Sequence, residues 1–117
     1  MGKRSLRNSF AYAITGIIYV VATGRNMKIH LLATMLVIIT GLWLGLTRLE
    51  WAIITISIFM VLAAETINTA IEKTVDLVTR DYHPLAKHAK NIAAGGVLLT
   101  AINAVIVGVL ILGHYLF

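Results

Sequence analysis

Two carboxylates and an amide recur at helical spacing inside an apolar stretch of the sequence: Glu65, Asn68 and Glu72, followed by Asp76. At about 100° per residue, these four positions, here called the acidic stripe, fall within about 80° of one another around a helix. A carboxylate is costly in a bilayer core, so an acid inside an apolar helix is a functional candidate by default. The stripe has the chemistry to hold a metal, to face a phosphate-bearing ligand or to accept a proton.

Each member of the acidic stripe also has a purely structural explanation. Glu65 can be a protonated carboxyl hydrogen-bonded to a neighbouring helix, and Asn68 can hold helices together, as polar residues do in membranes. Glu72 and Asp76 can be solvated charges at the end of an apolar run. The alignment of Glu72 with Glu65 makes a ligand an equally good explanation, because Mg²⁺ sites commonly combine one or two carboxylates with phosphate oxygens and water.

The composition is typical of a membrane protein. Apolar residue types make up 59% of the 117 residues and charged types only 13%, about half the share of a soluble domain. The formal net charge is +5, which anchoring at a membrane surface and attraction to anionic lipids or nucleotides explain better than a nucleic-acid partner. We therefore expect a single membrane-embedded domain over 1–117 that binds membrane lipids and no nucleic acid.

The hydrophobic pattern predicts an all-α membrane protein with a short helix and three spans. Residues 4–23 combine apolar residues at helical spacing with polar ones, which predicts an amphipathic helix lying at the interface. A polar break is expected over 24–28. Three apolar runs are long enough to cross a ~30 Å core, and we expect spans at 30–46, 51–71 and 92–112. The second span is expected to continue as a polar helix to about Val78, and a helix is expected to start near Leu85 after a turn over 80–84.

The positive charges are distributed unevenly among the segments. Nine of the ten lysine and arginine residues lie before the first apolar run or between the second and third runs, and only Arg48 lies between the first and second. The positive-inside rule then predicts a multi-pass protein with its N-terminus in the cytoplasm. Alanine and glycine recur along the third run, and because small residues let membrane helices approach closely, a homo-oligomer is expected.

The segment between the second and third runs is basic and lies near the acidic stripe. Lys87 and Lys90 stand three residues apart and share one helical face, where they can serve as phosphate contacts or as plain positive-inside charge. His83 and His88 lack the spacing of a metal pair. The residues alone thus indicate a small polytopic protein with a cytoplasm-facing acidic site and a nearby basic loop.

A longer pattern surrounds these residues. The run AETINTAIEKTVDLVTRDYHPLAKHAKNIAAGGVLL over 64–99, with RNMKIH over 25–30 and SFAYAITGI over 9–17, resembles the small integral-membrane diacylglycerol kinase family. Within that family it is most similar to the undecaprenol kinase branch. The resemblance covers nearly the whole chain and includes the pattern E-x-x-N-T-A-I-E-x-x-V-D followed by Y-H-P-L-A-K-x-A-K.

The resemblance implies an activity and a site. It implies a homotrimer in the bacterial inner (cytoplasmic) membrane that transfers the γ-phosphoryl group of ATP to a lipid alcohol. Glu65 matches the catalytic base, Asn68 the asparagine beside it, and Glu72 the carboxylate that holds Mg²⁺ with ATP. The positions that match nucleotide-contacting residues are Tyr12, Glu72, Asp81, Tyr82, His83, Lys90 and Asn91. Phosphoryl transfer asks mainly for positioning and charge neutralisation, which these residue types supply.

Two positions depart from the family pattern. Gly24 stands where the family usually has a second metal-binding glutamate, and Asn91 stands where it usually has an aspartate. Both changes remove negative charge around the nucleotide, so we expect weakened or lost kinase activity unless Asp76, Asp81 or phosphate oxygens compensate. Gly24→Glu and Asn91→Asp are then expected to raise kcat/KM.

Several functions remain open at this point. The first is an undecaprenol or other polyprenol kinase, and the second keeps the enzyme class with diacylglycerol as acceptor. The third is a catalytically impaired family member with a structural role, which the two departures favour. The fourth is an ion- or proton-conducting oligomer that uses Glu65, and it predicts ion flux without nucleotide.

Overall fold

The computed structural model describes residues 5–117 and contains four α-helices and no strand within that range. The helices are α1 (Leu6–Thr23), α2 (Arg25–Leu44), α3 (Arg48–Val78) and α4 (Pro84–Leu116). Three of them, α2, α3 and α4, are long and apolar enough to cross a membrane. This confirms the prediction of an all-α membrane protein with three spans and a separate N-terminal helix.

Helix α1 begins after Ser5, whose hydroxyl accepts a hydrogen bond from the backbone N–H of Asn8. The predicted helix started two residues earlier than Leu6, and position 4 lies outside the described residues. Most side chains of α1 are exposed, and Val20 is its buried residue. Both the polar and the apolar face of α1 can therefore contact lipid, water or another subunit.

The predicted polar break over 24–28 is wrong, because only Gly24 separates α1 from α2. The N–H of Gly24 bonds to the carbonyl oxygen of Val20 at 2.7 Å, and α2 begins at the next residue, Arg25. Met27 is 2% exposed and anchors the first turn of α2, while its polar neighbours point outward. Polar side chains are therefore tolerated here without interrupting the helix.

A tight turn joins α2 to α3. Gly45 adopts the left-handed conformation with φ 72°, which glycine accepts without steric cost, so the helix ends two residues before the predicted end of the first span at position 46. Thr47 caps α3 through a reciprocal pair of hydrogen bonds with Glu50, an arrangement that satisfies two otherwise unpaired N–H groups. The turn therefore fixes where α3 starts.

Helices α3 and α4 form a long hairpin. Residues 79–83 connect them, and Pro84 occupies the first turn of α4, where its missing N–H costs nothing. The imidazole Nδ1 of His83 accepts a hydrogen bond from the N–H of Leu85 at 3.1 Å. Because α3 ends at Val78, as predicted, the connection occupies five residues.

Burial is concentrated on one face of α3. The buried residues of this helix follow one another at spacings of three and four, and they are Ile54, Ser57, Val61, Glu65 and Asn68. Large apolar side chains on α2 and α4 remain exposed, as expected for surfaces that face lipid or other subunits. The acidic stripe thus continues the packed face of α3 toward the 79–83 loop.

Candidate active site

The acidic stripe runs from a buried end to an exposed end. Glu65 and Asn68 are 4% and 5% exposed, whereas Glu72 and Asp76 are half-buried. At about 1.5 Å per residue, Glu65 lies about 26 Å and Glu72 about 36 Å along the axis from the start of α3. A ~30 Å hydrocarbon core that begins at Arg48 therefore ends between Glu65 and Glu72.

Asn68 lies between the two glutamates of the stripe and is hydrogen-bonded to one of them. Its Nδ2 donates a hydrogen bond to Glu72 Oε1 at 3.3 Å. Within residues 5–117, Asn68 Oδ1 and Glu65 Oε2 are buried side-chain atoms without a hydrogen-bond partner. Because buried polar atoms are nearly always paired in native proteins, these two oxygens indicate a place where a ligand, another subunit or a nearby side chain supplies the partner.

Lys90 links the stripe to α4. Its Nζ lies 2.6 Å from Asp76 Oδ1, and both side chains are partly exposed. This ion pair holds an ammonium group beside the exposed end of the stripe, 14 residues further along the chain. The predicted phosphate contact and the acidic stripe are therefore neighbours in space.

The 79–83 loop and the start of α4 enclose a cavity of about 230 Å³, here called the loop cavity. Arg80, Lys87 and Lys90 contribute positive charge to its walls. The structure brings five of the predicted nucleotide-contacting residues together in its lining, and these are Asp81, Tyr82, His83, Lys90 and Asn91. Positive charge beside hydrogen-bonding groups is suited to a polyphosphate.

The other two predicted nucleotide contacts, Glu72 and Tyr12, do not line the loop cavity of their own subunit. Glu72 lies on the acidic stripe. Tyr12 lies on α1 and its side chain is largely exposed. Helix α1 contacts α3 close to the level of Glu72 through Tyr19, whose ring centroid lies 5.7 Å from Nζ of the next residue, Lys73. A cation over an aromatic face contributes modest attraction, so α1 is held beside the stripe.

The donor set fits Mg²⁺ that arrives with phosphate. No group of three or more His, Asp or Glu side chains in the described range is placed to hold a metal. Glu72 offers a half-buried carboxylate, and Asn68 offers a carbonyl oxygen without a partner among the described residues. Mg²⁺ commonly takes one or two carboxylates and completes its shell with substrate phosphates and water, which matches this set.

One neighbour of the stripe has no role assigned from the sequence. His30, in the second turn of α2, places its Nε2 3.7 Å from Glu65 Oε2. The only sequence signal was an ionisable residue at the start of an apolar run. Its pairing with Glu65 depends on how α2 packs against α3, which residue spacing does not reveal.

Comparison with known proteins identifies the family of this chain. Undecaprenol kinase of Bacillus subtilis is 45% identical over 103 residues, which cover 88% of this chain and 84% of that protein. Diacylglycerol kinase of Synechocystis sp. is 46% identical over 101 residues, 86% of this chain and 58% of that protein. Diacylglycerol kinase of Escherichia coli K12 is 32% identical over 74 residues, 63% of this chain and 61% of that protein. The family model for prokaryotic diacylglycerol kinase matches residues 11–112, so this chain belongs to that family of membrane lipid kinases.

Proposed function

We propose that this lipid kinase transfers the γ-phosphoryl group of ATP to a lipid alcohol, with undecaprenol as the first candidate. The observation that carries the proposal is the position of Glu65. Its carboxylate is buried on α3 near the predicted edge of the hydrocarbon core, two turns from Glu72. The hydroxyl of a membrane-embedded lipid alcohol would lie at a similar depth, so this carboxylate is the candidate to meet it.

The reaction follows from the order of groups along the stripe. Glu65 accepts the proton of the acceptor hydroxyl as general base, and the resulting oxygen forms a bond to the γ-phosphorus. The bond between that phosphorus and the oxygen bridging to the β-phosphate breaks, so ADP leaves and a lipid phosphate remains. Asn68 is hydrogen-bonded to Glu72, and this bond orients the Glu72 carboxylate relative to Glu65.

Charge neutralisation comes from the exposed end of the stripe. Glu72 would hold Mg²⁺ together with the phosphates of ATP, and the ion would screen charge that develops on the phosphoryl oxygens. Lys90 and the loop cavity would bind the nucleotide through Asp81, Tyr82, His83 and Asn91. Tyr12 would join this site from α1, or from α1 of a neighbouring subunit.

The assembly and orientation are part of the same proposal. We infer a homotrimer, because the apolar surfaces of α2 and α4 are exposed in the single subunit and because Asn68 Oδ1 is buried without a hydrogen-bond partner among residues 5–117. The clustering of positive charge before α2 and around the 79–83 loop supports a cytoplasmic N-terminus in a bacterial inner membrane. ATP would then reach the loop cavity from the cytoplasm.

The choice of acceptor rests on the relatives. Of the three relatives compared above, the Bacillus subtilis protein, of which this chain covers 84%, is named undecaprenol kinase. The Synechocystis sp. and Escherichia coli proteins are named diacylglycerol kinases. Diacylglycerol is therefore the second candidate acceptor. A catalytically weakened member of the family is the other alternative, which Gly24 and Asn91 favour.

The test is phosphate transfer from labelled ATP with Mg²⁺ in lipid–detergent micelles, with undecaprenol and diacylglycerol offered separately. We expect product with undecaprenol and a loss of at least about 100-fold in Glu65→Gln, as for removal of a general base. Glu50→Gln is the matched control, because it makes the same change at the other end of α3. Absence of product from folded oligomer with both lipids, or full activity in Glu65→Gln, would refute the proposal.

A further inference from the structure

His30 is an ionisable residue that the proposed reaction does not yet use. It lies near the start of α2, and its imidazole Nε2 is 3.7 Å from Glu65 Oε2 on α3. The side chain of Glu65 is 5% exposed and that of His30 is 22% exposed. The pair thus lies in the interior of the subunit, at the level where α2 and α3 pack together.

The oxygen that faces His30 is also the one that lacks a partner. Among the described residues, Glu65 Oε2 accepts no hydrogen bond, although it is buried. A buried carboxylate is stable in ionised form only when charge or N–H donors compensate for the lost water. The structure places one such donor opposite this oxygen, and it is the imidazole of His30.

The separation of 3.7 Å is slightly longer than a direct hydrogen bond. Contacts within ligand-free active sites are often long and shorten when the substrate complex forms. The two side chains come from different helices, so a small rotation of either is sufficient to close the gap. The geometry is therefore that of a pair ready to form a hydrogen bond when the site is occupied.

We propose that His30 is a positioning residue for Glu65, an inference that rests on the proposed kinase function. The Nε2–H group of His30 donates to Glu65 Oε2 and holds the carboxylate ionised in one orientation. Glu65 Oε1 is then left to accept the proton of the lipid hydroxyl. His30 gains and loses no proton in the reaction and does not touch either substrate.

A structural role for His30 is the competing explanation, since a polar contact between helices can simply join α2 to α3. The two roles predict different kinetics. A group that only holds the helices together affects folding and both substrate affinities. A group that orients the base lowers kcat and leaves the KM values for ATP and lipid nearly unchanged, because the lost interaction matters in the transition state.

The experiment compares His30→Leu with His30→Gln in the phosphate-transfer assay, with ATP and lipid varied in turn. We expect kcat to fall about tenfold to hundredfold in His30→Leu, the worth of a hydrogen bond to a charged group, with each KM changed by less than about twofold. Glutamine carries an N–H donor at a similar distance from the backbone, so His30→Gln is expected to regain most of kcat. His114→Leu, the same change at an exposed site on α4, is the matched control.

A spectroscopic measurement tests the contact without relying on turnover. In ¹⁵N-histidine-labelled protein, the His30 imidazole resonance is identified by its loss in His30→Leu. We expect it to shift in Glu65→Gln, while the His114 resonance stays in place. An unchanged His30 resonance, or a His30→Gln protein that folds but is as slow as His30→Leu, would overturn the inference.

Failure of the inference and failure of the proposed function give different results. If Glu65→Gln is inactive and His30→Leu is fully active, Glu65 remains the base and the role of His30 is wrong. If Glu65→Gln is fully active, the proposed function itself is wrong and His30 has no base to position.

Discussion

At the scale of single residues, one helical face carries two chemical environments. Glu65 is buried, and Glu72, two turns further along, is half-buried beside a hydrogen-bond donor from Asn68. In the proposed reaction these two glutamates have different tasks. The buried Glu65 would meet the hydroxyl of the lipid, and the more accessible Glu72 would meet a cation and phosphate. The spacing of seven residues keeps the tasks on one side of α3.

Asn91 gives the first prediction at this scale. Its side chain lines the loop cavity beside Lys90, so Asn91→Asp returns a negative charge to the place where Mg²⁺–ATP is proposed to bind. We expect kcat/KM for Mg²⁺–ATP to rise by up to about fivefold, the range of an exposed charge contact. Steady-state kinetics at several Mg²⁺ concentrations measure this, and Asn91→Ala is the control for loss of the amide. An unchanged or lower kcat/KM in Asn91→Asp contradicts the prediction.

Gly24 gives a second prediction, and here the structure modifies the expectation drawn from the sequence. A Cβ atom at this position would lie 2.6 Å from the carbonyl oxygen of Val20 and 3.2 Å from Met27 Cβ. Any side chain therefore forces the corner between α1 and α2 to shift. We expect Gly24→Ala to lower stability by about 1–3 kcal/mol, as overpacking does, measured by denaturant titration in detergent.

The same crowding affects the proposed restoration of a glutamate. Gly24→Glu adds the missing carboxylate and the steric cost together, so its kinetics must be compared with those of Gly24→Ala and not only with the unmodified protein. A Gly24→Ala protein as stable as the unmodified one would show that the corner yields easily. Activity above Gly24→Ala in Gly24→Glu would then report the charge alone.

At the scale of elements, α3 and α4 are joined at three levels. Lys90 pairs with Asp76 near the loop, Asn103 Nδ2 contacts Ser57 Oγ at 3.4 Å in the middle, and the hydroxyl of Tyr115 donates to Glu50 at the far end. The loop cavity lies at one end of this hairpin. Polar contacts along its whole length therefore hold the cavity walls in fixed relation to the acidic stripe.

The middle contact gives a prediction for the hairpin. Asn103→Ala and Ser57→Ala each remove one partner of a hydrogen bond that lies inside the membrane. We expect a coupling energy of about 0.6 kcal/mol between the two substitutions, the usual value for such bonds in a membrane protein. A double-mutant cycle of unfolding free energies measures it, and the pair Thr40→Val with Ser57→Ala serves as an uncoupled control. A coupling energy near zero would show that the hydrogen bond does not join the helices.

The spacing of residues in the sequence predicted which side chains share a face of one helix. It did not predict which side chains meet between two helices. The stripe from Glu65 to Glu72 was predicted because both residues lie on α3, and apolar run lengths predicted the three spans. His30 and Glu65 are 35 positions apart, so their contact depends on packing. The break over 24–28 was predicted wrongly because its polar residues were interpreted as the end of a helix. In the structure, Met27 is buried and residues 25–28 form the first turn of α2.

At the scale of the whole molecule, the single subunit leaves much of its apolar surface uncovered. The most apolar stretch of α4 has no residue buried within the subunit. Lipid covers part of such a surface, and neighbouring subunits cover the rest in the proposed trimer. Packing between subunits is also what would bring Tyr12 of one subunit toward the loop cavity of another.

The proposed orientation is testable because the chain has no cysteine. We expect a membrane-impermeant thiol reagent to label Tyr82→Cys only from the cytoplasmic side and Phe117→Cys only from the outside. Tyr82 and Phe117 are both exposed, at 79% and 105%. Labelling therefore reports on which side of the membrane each position lies, and not whether it is buried in the protein. Intact cells and inverted vesicles provide the two sides, and the cysteine-free parent is the control for background. Reversed labelling would place the loop cavity away from the cytoplasmic ATP.

The unequal helix lengths link the enzyme to the membrane around it. Helix α2 has 20 residues and α3 has 31, so at about 1.5 Å per residue α2 matches a ~30 Å core while α3 overhangs it by about 16 Å. A thicker bilayer would submerge Glu72, and a thinner one would expose Glu65 to water. We therefore expect the turnover of the enzyme to depend on bilayer thickness. Turnover should be highest in bilayers whose hydrocarbon core ends between Glu65 and Glu72.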